Sequence, residues 1–418
     1  MHTQDRRKIE QEVKREEAKI ENKTLCAERR KMQEMKETQH ALYAREVFAE
    51  DGIQKEACVL LRGGKILEIV PYREAKVRGV QVEEAGARLL PGFFDTHIHG
   101  ALGVDTMDAT PEALDTIGGY LASCGTTSYM PTTVTDRWEK ILAALRNLAA
   151  YPPKEGAAIP RGSFVEGPYL TEEHRGAHPA ELLRELSLDE LSELMAAGPI
   201  RALAVAPEKQ GAAEFIRTAR AQGVRISIGH SSATYEEARA AVDAGADAAI
   251  HTYCGMSPMH HRAPMLLGEA MTDDRLYAEL IADGIHVSLP AMDILRRAKP
   301  KDKLILISDA ISATGMPDGD YRLGKEHVAL RGGIARTDSG ALAGSTTNVL
   351  AEVRRLILAL GEEPLAAVHM GSLNGARRYG LASVIGSIRE GKCADLVAVD
   401  EEYKVLGTWL NGRKVSSV

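Results

Sequence analysis

At residues 91–100 the sequence reads Pro-Gly-Phe-Phe-Asp-Thr-His-Ile-His-Gly, and it closes an apolar run that starts at Leu89. A short apolar run of this kind is typical of a buried β-strand. Side chains two positions apart in a strand point to the same side, so His97 and His99 can present two imidazoles to one metal ion. The stretch therefore predicts a strand that ends at a shared polar site.

Seven similar runs follow this strand along the chain, at residues 126–133, 159–166, 200–207, 224–230, 248–251, 285–289 and 304–309. Several segments between them have helical composition, at residues 111–123, 181–197 and 235–244. Eight strand-then-helix units within roughly 220 residues predict a (β/α)8 barrel.

The two ends of the chain have a different pattern. Residues 41–90 form short alternating runs, with Gly63-Gly64 as a hairpin signal, and the same pattern returns at residues 394–399 and 405–410. We therefore expect a small β domain built from residues 41–90 and 380–418, beside a barrel over residues 91–379. Residues 1–40 are dense in Lys, Arg and Glu, which predicts a charged, solvated helical extension.

The composition is that of a globular enzyme, with 44% hydrophobic and 27% charged residues. A net charge of -7 gives no broad attraction for nucleic acid. The five scattered cysteines predict free thiols rather than a disulfide framework. We find no secretory signal and no apolar run of about 18 residues, which predicts no membrane span and a cytoplasmic location.

Ligand-type side chains stand at the ends of five predicted strands. All strand carboxyl ends of such a barrel converge on one mouth, where active sites are built. A single histidine after an apolar run is more often structural, and a lone Asp or Glu can cap a helix. A structural explanation would have to hold independently for all six residues, namely His97, His99, Glu166, His230, His251 and Asp309.

Imidazoles with a carboxylate suit Zn²⁺ or Fe²⁺ better than Mg²⁺ or Ca²⁺. Such an ion lowers the pKa of a bound water to about 7 and polarises a carbonyl oxygen. Asp309 can take the proton of that water and pass it to a leaving group. The pattern therefore predicts hydrolysis of an unactivated bond, with an amide as the natural target.

From about Ala41 onward the sequence resembles the amidohydrolase superfamily and, within it, the N-acetylglucosamine-6-phosphate deacetylase family. The superfamily motif is Asp95-Thr96-His97-Ile98-His99-Gly100. The motifs specific to the deacetylases are Val165-Glu166-Gly167-Pro168-Tyr169, Gly229-His230-Ser231, Met256-Ser257-Pro258, Ala282-Asp283-Gly284-Ile285-His286, Ser308-Asp309-Ala310, Leu342-Ala343-Gly344-Ser345 and Gly391-Lys392-Cys393-Ala394-Asp395-Leu396.

The resemblance implies a barrel with a small β-sandwich domain, and a homodimer. It implies that Glu166, His230 and His251 hold the main metal, and that His97 and His99 hold a second one bridged by Glu166. We therefore expect one or two zinc or iron ions per subunit, with Asp309 as general base and then general acid.

The resemblance also implies substrate contacts. His178 matches a position that helps polarise the acetyl carbonyl, and Arg262 and His286 match sugar and phosphate contacts. His261 is as well placed to shape its loop as to touch the substrate, and Arg262 alone could be a surface ion pair. The family commonly has Asn-Ala where this chain has Cys254-Gly255, so that these two residues depart from the phosphate-binding pattern.

The expected reaction is hydrolysis of N-acetylglucosamine-6-phosphate to glucosamine-6-phosphate and acetate. Cys254-Gly255 favours an alternative, a deacetylase for N-acetylgalactosamine-6-phosphate or another N-acetyl compound. A cyclic-amide hydrolase with a carbamylated lysine would need Lys209 as bridge, a role that Glu166 already fills. The alternative of another class is a non-catalytic sugar-phosphate sensor, which would need neither Asp309 nor a full ligand set.

Overall fold

The computed structural model describes residues 40–415. The extension predicted over residues 1–40 therefore lies outside the described residues, except for its last residue. The strands are β1 (His40–Ala49), β2 (Gly52–Arg62), β3 (Lys65–Pro71), β4 (Gln81–Pro91), β5 (Phe93–Ile98), β6 (Gly100–Ala101), β7 (Val104–Asp105), β8 (Thr126–Thr133), β9 (Ile159–Pro160), β10 (Ser163–Val165), β11 (Ile200–Val205), β12 (Arg225–Ile228), β13 (Ala248–Ala249), β14 (Tyr277–Leu280), β15 (Leu304–Leu306), β16 (Gly319–Leu323), β17 (Glu326–Arg331), β18 (Ile334–Thr337), β19 (Leu396–Val399), β20 (Val405–Leu410) and β21 (Arg413–Lys414).

The α-helices are α1 (Tyr72–Val77), α2 (Pro111–Ser123), α3 (Trp138–Ala150), α4 (Leu188–Ala197), α5 (Ala212–Ala221), α6 (Tyr235–Ala244), α7 (Met265–Thr272), α8 (Leu289–Ala298), α9 (Val349–Leu360), α10 (Pro364–Met370) and α11 (Leu373–Arg378). Short 3-10 helices cover Thr106–Asp108, Ala180–Leu182 and Lys301–Lys303. Between residues 40 and 415, no helix is both long enough and apolar enough to cross a bilayer.

Eight parallel strands form the predicted (β/α)8 barrel, in the order β5, β8, β10, β11, β12, β13, β14 and β15. A parallel bridge between Ile98 and Ala310 joins the last strand to the first. At this seam the backbone N–H of Asp309 donates to the carbonyl of His97 at 2.9 Å. Closure of the barrel therefore holds a residue from the first strand next to one that follows the eighth.

The sequence placed two helices correctly but misplaced one strand. The segments 111–123 and 235–244 are the helices α2 and α6. The predicted seventh strand at residues 285–289 is wrong, because that segment is a bend leading into α8, with Ile285 43% exposed. The real strand is β14, whose apolar pattern is interrupted by the fully buried Glu279.

Both chain ends build the small β domain, as a seven-stranded sheet in the order β21, β20, β19, β4, β1, β2 and β3. Side chains from both halves share one core, where Leu42 and Val59 meet Leu396 and Trp409. The exact domain boundaries stay a prediction. A separate antiparallel sheet of β16, β17 and β18 follows the eighth barrel strand, and its Leu323 lines the cavity at the barrel mouth.

Candidate metal centre

Glu166 lies at the middle of the barrel mouth and faces histidines with both carboxylate oxygens. It directly follows β10, and it is buried. Its Oε1 lies 3.1 Å from Nε2 of His230 and 3.1 Å from Nε2 of His251. The two imidazole nitrogens are themselves 3.0 Å apart. These three side chains form one cluster that could hold a metal ion.

The second carboxylate oxygen of Glu166 faces the His-x-His motif. Oε2 lies 3.0 Å from Nε2 of His99 and 3.5 Å from Nε2 of His97. Asp309 Oδ1 lies 3.3 Å and 3.4 Å from the same two nitrogens. His97, His99 and Glu166 form a second cluster with metal-ligand spacing, so that Glu166 belongs to both. The barrel thus brings together all six residues that the sequence placed at strand ends.

The proton positions imposed by the surroundings fit a bound cation. Nδ1 of His230 lies 2.7 Å from the carbonyl oxygen of His174, and Nδ1 of His251 lies 3.2 Å from that of Cys254. A carbonyl only accepts hydrogen bonds, so each Nδ1 carries a proton, and Nε2 is the nitrogen of each ring that a cation would bind. The two Nε2 atoms and Oε1 of Glu166 lie within 3.1 Å of one another, which is a donor set that a divalent cation would fit.

The pKa values reflect this crowding. Burial raises the pKa of Glu166, but the charge of His97 and the hydrogen bonds of His230 and His251 bring it well below its usual value. Burial likewise raises the pKa of Asp309, and the neighbouring His97 and His99 lower it overall. For His99, burial lowers the pKa, but Asp309 and Glu166 outweigh it and raise the pKa to about 9.

Metal uptake is expected to depend steeply on pH. With its pKa at about 9, His99 is protonated in the metal-free protein at neutral pH, and a cation must displace that proton. Affinity is therefore expected to rise by at least about tenfold per pH unit between about pH 6 and 8. Competition titrations with Zn²⁺ across this range measure the slope, and calorimetry in two buffers counts the released protons. An affinity that does not change with pH would contradict this protonation state.

Three site residues have a left-handed backbone conformation, which residues other than glycine seldom adopt. The φ angles are 47° for His230, 25° for His251 and 49° for Asp309. Such conformations cost about 1–3 kcal/mol each and persist where the surrounding structure holds them. Here each lies just beyond a barrel strand, where the chain leaves the sheet and the side chain points into the mouth.

Gly255 allows the backbone to approach one of these histidines. Its φ is +59°, and a Cβ at this position would lie 2.8 Å from Nδ1 of His230. Gly255→Ala is therefore expected to displace the imidazole and to lower metal affinity by at least about tenfold. Gly211→Ala is the matched control, because Gly211 has φ +80° with nothing within 4 Å of its Cβ position. We expect both variants to lose about 1 kcal/mol of stability and only the first to lose metal, measured by metal analysis after reconstitution.

A cavity of about 340 Å³ opens onto these residues. His178, Cys254, Gly255 and His286 line it together with His99, Glu166, His230, His251 and Asp309. Nδ1 of His286 lies 2.7 Å from Oδ2 of Asp283, which orients its ring. Burial first, and then the carboxylates of Asp309 and Asp283, raise the pKa of Cys254 to about 12, so that it faces the cavity as a neutral thiol.

His178 is a neutral hydrogen-bond donor at the edge of the cavity. Its Nδ1 lies 3.3 Å from the backbone N–H of Thr135, which can only donate, so the ring proton is on Nε2. Burial lowers the pKa of His178 to about 3. Nε2 lies 3.6 Å from Oε2 of Glu166, and the N–H therefore points toward the cation ligands.

Two predicted substrate residues lie outside the cavity. His261 and Arg262 are exposed on the loop before α7, and Arg262 Nη1 lies 2.7 Å from Nε2 of His261. Neither lines the cavity. Lys209 also lies away from the cluster, since its Nζ donates to Glu185 at 2.9 Å.

Two carboxylates that were assigned no role from the sequence, Asp95 and Glu279, support the site from behind. Asp95 accepts hydrogen bonds from Oγ of Ser308 at 2.5 Å and from its backbone N–H at 3.2 Å, which joins the first strand to the segment that carries Asp309. Glu279 lies behind His97, with Oε2 3.8 Å from Nδ1. Asp95 was visible in the His-x-His motif, whereas Glu279 was hidden in a strand that the apolar pattern missed.

Comparison with known proteins gives concordant matches. The model of the amidohydrolase family matches residues 88–415. The chain is 44% identical to an N-acetylgalactosamine-6-phosphate deacetylase of Escherichia coli O157:H7, with 90% of this chain and 99% of the relative covered. It is 37% identical to an N-acetylglucosamine-6-phosphate deacetylase of Vibrio furnissii, with 91% and 96% covered.

Among solved structures, the chain resembles a variant N-acetyl-D-glucosamine-6-phosphate deacetylase of Mycobacterium smegmatis in complex with N-acetyl-D-glucosamine-6-phosphate. The TM-score is 0.85 at 29% identity, and the match covers 90% of this chain and 99% of that one.

Proposed function

Since this chain belongs to the amidohydrolase family, we propose that it hydrolyses the acetamide of an N-acetylated hexosamine 6-phosphate to the free amine and acetate. The observation that carries the proposal is the meeting of two histidine pairs on the two oxygens of Glu166, with Asp309 beside them in an open cavity. A binding module would need neither the second ligand pair nor the carboxylate. Catalysis therefore accounts for the site better than sensing does.

For the sugar, we favour N-acetylgalactosamine 6-phosphate. The relative that is 44% identical over nearly its whole length has the galacto substrate in its name. Cys254 and Gly255 also line the cavity at the place where the gluco enzymes commonly have Asn-Ala. N-acetylglucosamine 6-phosphate is the second candidate, supported by the gluco name of the relative that is 37% identical.

Glu166, His230 and His251 would hold one divalent ion, and His97 and His99 would hold a second that shares Glu166. A divalent ion in such a site acidifies water and polarises a carbonyl oxygen. Zinc and iron both suit this set of imidazoles and carboxylate. We propose two ions per subunit, because both clusters have their ligand atoms within 4.8 Å of one another.

Asp309 and His178 would handle the protons and the developing charge. The lowered pKa keeps Asp309 ionised at neutral pH, so that it can accept a proton from the attacking water and then donate it to the leaving nitrogen. The neutral His178 would donate its Nε2–H to the acetyl oxygen as negative charge develops there. His286, fixed by Asp283, would contact the sugar phosphate.

We propose that Arg262 and His261, which lie outside the cavity, reach the phosphate through movement of their loop or across a homodimer contact.

A cytoplasmic location is consistent with the four cysteines of the described chain, Cys58, Cys124, Cys254 and Cys393, all of which are free thiols.

Acetate release from metal-loaded protein tests the proposed reaction. The panel contains both N-acetylhexosamine 6-phosphates and the two unphosphorylated sugars. We expect the galacto phosphate to have the highest kcat/KM, by at least about tenfold over the gluco epimer. A preference for the gluco phosphate would support the proposed reaction but contradict the proposed substrate. No release from any of the four by metal-replete protein would refute the proposed function.

A further inference from the structure

Glu279 is a fully buried carboxylate that the proposed reaction does not use. It lies on β14, and its Oε2 is 3.8 Å from Nδ1 of His97. Within residues 40–415 neither of these two atoms has a hydrogen-bond partner. Glu279 Oε2 is an acceptor and His97 Nδ1 can carry a proton, so a shift of about 0.6 Å would bring the two atoms to hydrogen-bond distance.

Arg378 holds the other end of this carboxylate. Its Nη1 donates to Oε1 of Glu279 at 2.6 Å, and Arg378 is fully buried. The remaining donors of the guanidinium bond to Asp247, Ser227 and Tyr379. A charged donor at this distance places an opposite charge beside the buried carboxylate and fixes its orientation. Arg378 thus anchors Glu279 from the amino-terminal end of the barrel, where Asp247 precedes β13.

The four histidines of the two clusters differ in the group that lies near Nδ1, the ring nitrogen that faces away from Glu166. His230 and His251 each have a neutral backbone carbonyl at Nδ1. Of the four, only His97 has a carboxylate near Nδ1, that of Glu279. Nδ1 of His99 has no hydrogen-bond partner in the described part of the chain. A carboxylate behind a ligand histidine fixes the tautomer and raises the basicity of the nitrogen that faces the metal.

We propose that Glu279 is a positioning residue that acts through His97 and sets the affinity of the second cation position. With a cation bound, it would accept the Nδ1 proton of His97 and so orient the ring with Nε2, the nitrogen that faces Glu166 and Asp309, toward the cation. The inference rests on the proposed function only in taking His97 and His99 as metal ligands. The position held by His230 and His251 does not depend on it.

Glu279→Gln tests the proposal, because it keeps the size of the side chain and removes its charge. Metal-free protein is titrated with Zn²⁺, and bound metal is measured by mass spectrometry together with thermal stability. We expect two ions on the original protein, and on the variant one unchanged ion and a second weakened by about 10–100-fold. Glu269→Gln is the matched control, since Glu269 is also fully buried but contacts Arg239, at 3.6 Å, rather than a cation ligand.

A double-mutant cycle separates action through His97 from general destabilisation. His97→Asn removes the ligand itself, so adding Glu279→Gln in that background is expected to cause no further loss of metal. Two ions at unchanged affinity in Glu279→Gln would overturn the proposal, as would equal weakening of both positions in step with thermal stability. A single ion on the original protein would overturn it as well. Because no substrate is used, failure of the substrate panel would refute the proposed reaction without changing these results.

Discussion

Replacing Asp309 with Asn is expected to lower kcat by about 10³–10⁴-fold, because one side chain would serve as both general base and general acid. The amide is nearly the same size and can still accept a hydrogen bond, but it cannot take a proton from water. We expect KM and the amount of bound metal to change little, since the proposed metal ligands are Glu166 and the four histidines. Steady-state acetate release and metal analysis of the same preparation measure both.

Asp243→Asn is a suitable control for this variant. Asp243 is an exposed partner of Arg275 and lies outside the cavity, so its loss is expected to leave kcat unchanged. If Asp309→Asn retained more than about a tenth of the original kcat with full metal content, another group would have to transfer the proton.

Replacing Glu166 with Gln is expected to lower kcat by a comparable factor, but for a different reason. Each oxygen of Glu166 faces one histidine pair, so loss of the carboxylate charge weakens both cation positions at once. Loss of about 4 kcal/mol of electrostatic stabilisation would correspond to about 10³-fold in rate. Metal analysis after reconstitution is expected to find both ions depleted, in contrast to the single loss expected for Glu279→Gln.

Excess Zn²⁺ provides a check on this interpretation. Activity that returns as metal is added would place the defect in metal affinity, whereas full metal content with low activity would point to a chemical role for the carboxylate. A variant that kept both ions and its activity would exclude Glu166 as the bridging ligand. Glu173→Gln is the control, because Glu173 is exposed, accepts a hydrogen bond from Ser232 at 2.7 Å and does not line the cavity.

The sequence was sufficient to predict the barrel and the clustering of six polar residues at its mouth, because both depend on local periodicity. Apolar runs alternate with helical segments, and a period of two places His97 and His99 on one side of a strand. The barrel rule then brings strand ends together without knowledge of any contact. This is why residues as far apart as His97 and Asp309 could be predicted to be neighbours, and they lie within 3.4 Å.

Tertiary structure alone decided the features that depend on long-range pairing. The seventh strand was misplaced because Glu279 interrupts its apolar pattern, and that charge is tolerated in the core only because Arg378, 99 residues later, neutralises it. The proton positions of His230 and His251 depend on carbonyl groups supplied by loops, and Arg262 lies outside the cavity despite its motif. Periodicity shows which face of an element is buried, but the partner that makes a buried charge stable is set by packing between distant segments.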